Sequence, residues 1–516
     1  MNRWFYTGLL LAGFLVPGGQ VAAQLQAAGA QLWHQASPNL GLTPAVNRRF
    51  GHALSTGDYN CDGLDDAAIS MPGSIFGGPD GGRVLVLYAA DNGGGLSTTN
   101  RQIWSQSSPG VAGVETGSDD FGDALASGDF DNDGCDDLAI GVHFDNIEGF
   151  LNAGAVNVLY GSAAGGLTAD DDDYWHQGPS SAGGALEAQD RFGSALAAGD
   201  FNGDGFDDLA IGIPGEDIGS GAAQVENAGA IQVLFGRGSG LSTARSVILR
   251  RGTNLSGSPV TDEFIGGVLA AGNANASFGD ELIIGIPNFS ISATLDNAGA
   301  IIIVSDVDGA VLDQTITQAS TGIPGVAEAD DRFGAALALG DFDGNGFAEV
   351  AVGVPGEGVG VIAGAGAINI IDITASNHTI WTQDDLPPEQ AEVVDSFGSA
   401  LATADFNGDG IDDLAIGASG ENLGISVNNA GLVHVIQGSA AAGLTSVGRQ
   451  IWSLPFDPAN SGSLFGSALA AGRINSGAAD LIIGAPNNSV SVNRGGSATV
   501  LYSPRDELFA DGFEAP

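Results

Sequence analysis

Apolar residues in this chain come in short runs with abrupt ends. Leu209-Ala-Ile-Gly-Ile213 stops at Pro214-Gly215; before it lie the small residues Ser194 to Gly199 and a polar stretch, Asp200 to Asp208. Runs of this length between Gly, Pro and Asp predict buried strands. A third strand is predicted over Asn227–Phe235 and a fourth over Ser246–Arg250, and nothing in the unit carries a useful helical period. The unit recurs. Its opening phenylalanine falls at Phe50, Phe121, Phe192, Phe264, Phe333, Phe397 and Phe465, at intervals of 71, 71, 72, 69, 64 and 68 residues. A repeat of this kind means one supersecondary unit stacked on its copies. Four antiparallel strands repeated radially describe an all-β fold, a seven-bladed β-propeller of four-stranded antiparallel blades.

The fourth strand has its own signature: Gln102-Ile-Trp-Ser-Gln106, Tyr174-Trp-His-Gln177, Ile380-Trp-Thr-Gln383 and Gln450-Ile-Trp-Ser453. A further copy, Gln31-Leu-Trp-His-Gln35, precedes the first unit, while the seventh ends at Ser497–Tyr502 without a fourth strand. Residues 30–35 are therefore expected to complete the last blade and close the ring, removing the exposed edges. The tryptophans of these strands are expected to pack between blades rather than bind a ligand.

Three regions follow: 1–23 as a secretory signal, 24–503 as the propeller, and 504–516 as a C-terminal tail. Arg3, the apolar stretch Thr7–Val16 and Val21-Ala-Ala23 carry the first expectation. The apolar stretch is too short to span a bilayer. The protein is thus expected to be secreted, periplasmic or at the cell surface, without membrane insertion.

Charge changes the picture next. Sixty-two acids face 15 bases, for a net charge of −47, and every base is arginine. Such a chain is a poor partner for nucleic acid, which needs its phosphates neutralised. The missing lysine also removes the P-loop, Schiff-base and Ser-x-x-Lys chemistries. Divalent cations are the natural counter-charge.

The acids concentrate in nine-residue loops. In Asp129-Phe-Asp-Asn-Asp-Gly-Cys-Asp-Asp137, side-chain oxygens stand at positions 1, 3, 5 and 9 (Asp129, Asp131, Asp133, Asp137). Position 7, Cys135, offers its carbonyl, and Gly134 permits the turn. That is an oxygen cage suited to Ca²⁺. Four more copies keep it: Asp58, Asn60, Asp62, Leu64, Asp66; Asp200, Asn202, Asp204, Phe206, Asp208; Asp341, Asp343, Asn345, Phe347, Glu349; and Asp405, Asn407, Asp409, Ile411, Asp413. The fourth loop has Ser277 and Phe278 where Asp and Gly are needed, and the seventh begins with Arg473 and is one residue shorter. About five structural Ca²⁺ ions are expected.

Two cysteines, Cys61 and Cys135, stand in the first two loops. They make no disulfide framework in a chain this long. A single bridge between adjacent loops and two free thiols both stay open.

These motifs resemble the FG-GAP repeat family; in the last copy the naming residues are Phe465-Gly466 and Gly484-Ala485-Pro486. The resemblance spans about residues 30–503 and includes the integrin α-subunit head. It implies a seven-bladed propeller with calcium loops on the lower rim and partner binding elsewhere. The tail is similar to short terminal tags on exported proteins of some proteobacteria.

Two functions remain in view. The leading one is an exported adhesion or interaction module for a cell-surface, matrix or glycan partner, not an enzyme. The other is a secreted hydrolase of polysaccharide or lipid with its site at the channel mouth. Against the second, His34, His52, His143, His176, His378 and His434 lie on separate strands and loops, and no Gly-x-Ser-x-Gly elbow occurs. Paired carboxylates abound and leave glycosidase chemistry open. The run Asp170–Asp173 reads as a solvated face.

Overall fold

The computed structural model describes residues 24–504 except 74–80, 91–93, 179–180, 277–278, 309–310, 376, 424–426, 441, 455–460 and 491. The expected signal segment and residues 505–516 of the tail lie outside the described residues.

Seven four-stranded antiparallel sheets form seven blades. In the third, the strands run Leu196–Gly199, Asp208–Ile213, Ala230–Phe235 and Ser242–Leu249, in that order from the axis outward. The second and third strands are buried along their whole length. Both their faces meet neighbouring blades, which is why they read as unbroken apolar runs. The fourth strand starts earlier than the sequence suggested, because a bulge between Val233 and Phe235 extends the pairing to Ser242.

The innermost strands meet around the axis, so they need small residues. Ser55 and Ser127 hydroxyls of adjacent blades lie 2.7 Å apart, and the Thr56 hydroxyl donates to the Ala471 carbonyl at 2.7 Å. Each gap between neighbouring blades holds a cluster of buried side chains.

The last blade closes as expected, with a shifted strand. Gln26–Trp33 pairs with Ser497–Tyr502, so the closing strand begins before residue 30 and ends before His34 and Gln35. Leu40, Phe50 and Leu85 pack there against Ile482 and Val500. The Tyr502 hydroxyl donates to Gln31 Oε1 and accepts the Leu96 N–H at 2.9 Å, tying the last blade to the first. Trp33, Trp104, Trp175, Trp381 and Trp452 each end an outer strand and pack against these inter-blade clusters.

The Phe-Gly pair is an inter-blade fastener. Gly193, at φ 89°, donates its N–H to the Gly212 carbonyl of its own blade at 3.0 Å. Its carbonyl lies where a Cβ on Gly141 of the preceding blade would sit. A side chain on either glycine therefore overlaps backbone. In the fourth copy the phase differs from the sequence reading: Ile265, not Phe264, makes the bridge to Gly229 and is buried. Phe264 occupies the preceding left-handed position, at φ 53°.

Candidate metal centre and the opposite rim

The five acidic loops each join the first strand of a blade to the second, so they share one rim. In the second loop the Asp129 carboxylate is fixed from within: Asp133 N–H donates to its Oδ1 at 3.1 Å and Gly134 N–H to its Oδ2 at 3.0 Å. The third, fifth and sixth loops repeat both bonds on Asp200, Asp341 and Asp405, and the first on Asp58. Position 6 is a left-handed glycine in all five (Gly63, Gly134, Gly205, Gly346, Gly410). Position 4 is left-handed as well, which Cys61 and Asn132 satisfy without glycine.

One oxygen each from Asp129, Asp131 and Asp137 lies within 4.8 Å of the others, as do oxygens of Asp341, Asp343 and Glu349. An all-oxygen set at that separation fits a hard cation. In the first, third and sixth loops the Asn at position 3 turns its amide N–H to the position-9 carboxylate (Asn60 to Asp66, Asn202 to Asp208, Asn407 to Asp413). The opposite amide rotation presents Oδ1 to an ion. Leu64, Cys135, Phe206, Phe347 and Ile411 stand at position 7, and the side chains of Asp62, Asp133, Asp204, Asn345 and Asp409 each accept the N–H of that residue.

The position-9 acid has a second task that the sequence reading missed. Asp137 accepts the Phe130 N–H at 2.9 Å and the Gly161 N–H at 2.8 Å, stitching loop to third strand. Glu281 and Asp480 keep this role in the fourth and seventh loops, where positions 1, 3 and 5 carry no acid; both are fully buried. Burial raises the carboxyls of Asp66, Asp137 and Asp208 to about 8, with neighbouring loop acids adding to the shift against the opposing backbone N–H groups.

The acid at position 8 was also missed. Asp136 accepts the Asp58 N–H at 2.8 Å, and its own N–H donates to the Asp58 carbonyl at 3.0 Å. Asp207, Asp280 and Asp412 reach back in the same way to Asp129, Asp200 and Asp341. Asp65 accepts from the N–H of Arg473, whose guanidinium donates to the Gly63 carbonyl at 2.8 Å. The loops thus form a linked circle. The doubled acid that closes most loops was the available signal.

Cys61 and Cys135 form a disulfide between the first two loops, with Cα atoms 4.8 Å apart. The opening left by the sequence is settled in favour of the bridge. The Asp170–Asp173 run is corrected too: Asp172 accepts the Ala112 N–H at 2.8 Å, and Asp173 accepts the Tyr160 hydroxyl at 2.7 Å. Burial pushes Asp172 up to about 7.

Two of the six histidines are brought together. At the strand ends opposite the loops, His52 Nε2 lies 3.0 Å from Asp123 Oδ1 and His143 Nδ1 lies 3.3 Å from Asp123 Oδ2; Arg49 is 3.8 Å away. Burial works against Asp123 ionisation, but the His52 hydrogen bond and the surrounding positive charge hold it down at about 2. His434 is buried beside Phe397, and desolvation lowers it to about 3.

Among the described residues no helix is long and apolar enough to cross a membrane. Residues 121–159, 192–234, 333–369 and 397–436 match the FG-GAP repeat. Integrin alpha-PS2 of Drosophila melanogaster is 32% identical over 221 residues, which is 42% of this chain and 14% of that protein. Phosphatidylinositol-glycan-specific phospholipase D of Homo sapiens is 35% identical over 170 residues, 32% of this chain and 19% of that protein. Integrin alpha-5 of Xenopus laevis is 33% identical over 175 residues, 33% of this chain and 15% of that protein. The matched span is thus under a fifth of each of these relatives. Four matched repeats, set in seven blades built to one plan, place the chain among the FG-GAP repeat β-propeller proteins.

Proposed function

We propose that the chain is an exported, calcium-stabilised interaction module. Calcium ions in five loops stiffen one rim, and the propeller presents its other surfaces to a protein or glycan partner outside the cell. The observation that carries the reading is the placement of the loops. Oxygens of the second and fifth loops converge, and the loops are linked in a circle through their position-8 residues, so that an ion bound there would brace blade against blade. The similarity to integrin α-chains supports a binding role.

The test is an array of glycans and extracellular-matrix proteins probed with the full chain in calcium, run beside a screen of polysaccharide and lipid hydrolysis. Saturable binding without turnover is expected. Turnover would overturn the reading.

One observation favours the second reading. Asp123 between two imidazoles is a group able to orient a base, and the likeness to a phospholipase D names one hydrolase among the relatives. If that screen finds activity, Asp123→Asn should abolish it and Asp204→Ala should not.

A further inference from the structure

A second set of buried acids recurs at the strand ends opposite the loops. Between the fifth and sixth blades, Asp395 stands two residues before Phe397, and Glu421 follows the strand Asp413–Ala418. Both are buried, and one oxygen from each lies within 4.8 Å of the other and of a Glu392 oxygen. The Glu392 N–H takes Asp395 Oδ2 and leaves Oδ1 without a partner. Gln383, two residues after the outer-strand Trp381, donates Nε2 to Glu421 Oε2 at 2.7 Å. That bond holds its amide against the cluster, and its Oε1 is buried without a donor at 1% exposure. Several buried acceptors therefore share one place with no positive charge among them, an arrangement that costs heavily unless a cation joins it.

The other copies show what the position requires. Between the fourth and fifth blades the hydrogen bonding repeats, with Gln318 Nε2 donating to Glu357 Oε2 at 2.6 Å and Gln318 Oε1 and Asp331 Oδ1 unpartnered, but among the described residues no third acid converges on the pair. Between the third and fourth blades Arg251 stands where Gln383 does, Glu263 where Asp395 does, and Phe289 where Glu421 does. Arg251 Nε donates to Glu263 at 2.9 Å and its guanidinium lies 5.6 Å from the Phe289 ring centre. Here one acid meets a cation of the protein's own. Between the sixth and seventh blades all three positions are uncharged: Leu454, Ser463 and Asn488. Between the first and second, Thr116 and the Tyr174 hydroxyl already donate to Asp119 and Asp145. The second acid is absent where Arg251 supplies the charge, and where Glu216 keeps it, between the second and third blades, Arg250 lies 3.9 Å away.

We infer that Asp395, Glu421 and the Gln383 amide oxygen bind one hard divalent cation, with calcium as the natural ion, at a site separate from the nine-residue loops. The ion joins the turn after the fifth blade to the start of the sixth. The competing occupant is a proton shared by the two carboxyls.

Calcium content of the folded full chain tests this, in wild type, Asp395→Asn/Glu421→Gln, and Gln383→Arg/Glu421→Phe, the last copying the Arg251–Phe289 arrangement. Each double variant should hold one ion fewer than wild type. Asp409→Ala in the sixth loop should remove a different ion, and its combination with either double variant should remove two. Equal calcium in wild type and a folded double variant would overturn the assignment, whatever the loop variant does. If neither double variant folds, manganese-soaked wild-type crystals decide. An anomalous peak among Asp395, Glu421 and Gln383 supports the site. Peaks in the loops with none there would leave only the shared proton.

Discussion

Opening the Cys61–Cys135 bridge should destabilise the protein through the unfolded chain. The bridge closes a segment with a sequence separation of 74 residues, running from the first loop through the rest of the first blade into the second loop. The chain-entropy relation for a loop of that length gives a loss of about 4.5 kcal/mol at 25 °C. Inter-loop hydrogen bonds such as Asp58 N–H to Asp136 persist in the reduced protein and hold the native geometry. They do not change the entropy of the unfolded chain, so they do not offset this loss. The perturbation is Cys61→Ala/Cys135→Ala, which leaves no stray thiol. The assay is urea unfolding at saturating calcium, followed by fluorescence of the outer-strand tryptophans. Wild type with a reductant should match the double variant, and both should unfold at lower urea than oxidised wild type. Calcium affinity should fall at the first two loops only, because Cys61 and Cys135 sit inside those cages. Coincident curves for oxidised wild type and the double variant would refute the reasoning.

Metal-free protein should lose stability as pH rises from about 4 to about 8. The carboxyls of Asp66, Asp137 and Asp208 stay protonated in the fold up to about 8 but ionise near 4 when unfolded, so the native state binds more protons across that window and the slope is negative. Saturating calcium should reverse the trend, as melting curves with and without chelator would show. Gly141→Val should cost about 3 kcal/mol or more, since its side chain meets the Gly193 carbonyl with no room to relax; a melting point within 2 °C of wild type would contradict this. Deleting residues 24–33 should uncover the Ser497–Tyr502 edge and produce aggregation on a sizing column.

The repeat, the blade count and the ring closure were legible because each rests on local patterning: apolar runs, turn residues and the Trp signature recur at fixed offsets. The acidic loops between the first and second strands were legible for the same reason. What was hidden depends on contacts between copies. Asp136 bonds to a residue 78 positions away, and one repeat read alone shows only a doubled acid. The phase of the fourth copy was misread because a phenylalanine lies beside the true site; burial at that position asks for a large apolar group, and Ile265 supplies it. His52 and His143 looked scattered because their meeting point, Asp123, belongs to a different strand end from either. The Asp172 and Asp173 side chains were misjudged because both faces of this outer strand meet polar donors: Asp172 takes the Ala112 N–H and the Asn157 amide, and Asp173, on the opposite face, takes the Tyr160 hydroxyl.

The central claim is that five loops hold calcium as structure. Calcium analysis and thermal melting of extensively dialysed protein, re-equilibrated with the ion, test it most directly. The account predicts one ion in each of five loops, a sixth at the Asp395 cluster, and none in the loops of Asn273 and Arg473. It also predicts a midpoint that rises with free calcium, each site adding about 2.7 kcal/mol when the ion stands at 100 times its Kd. Two ions or fewer per chain, or melting unchanged by a chelator, would contradict it.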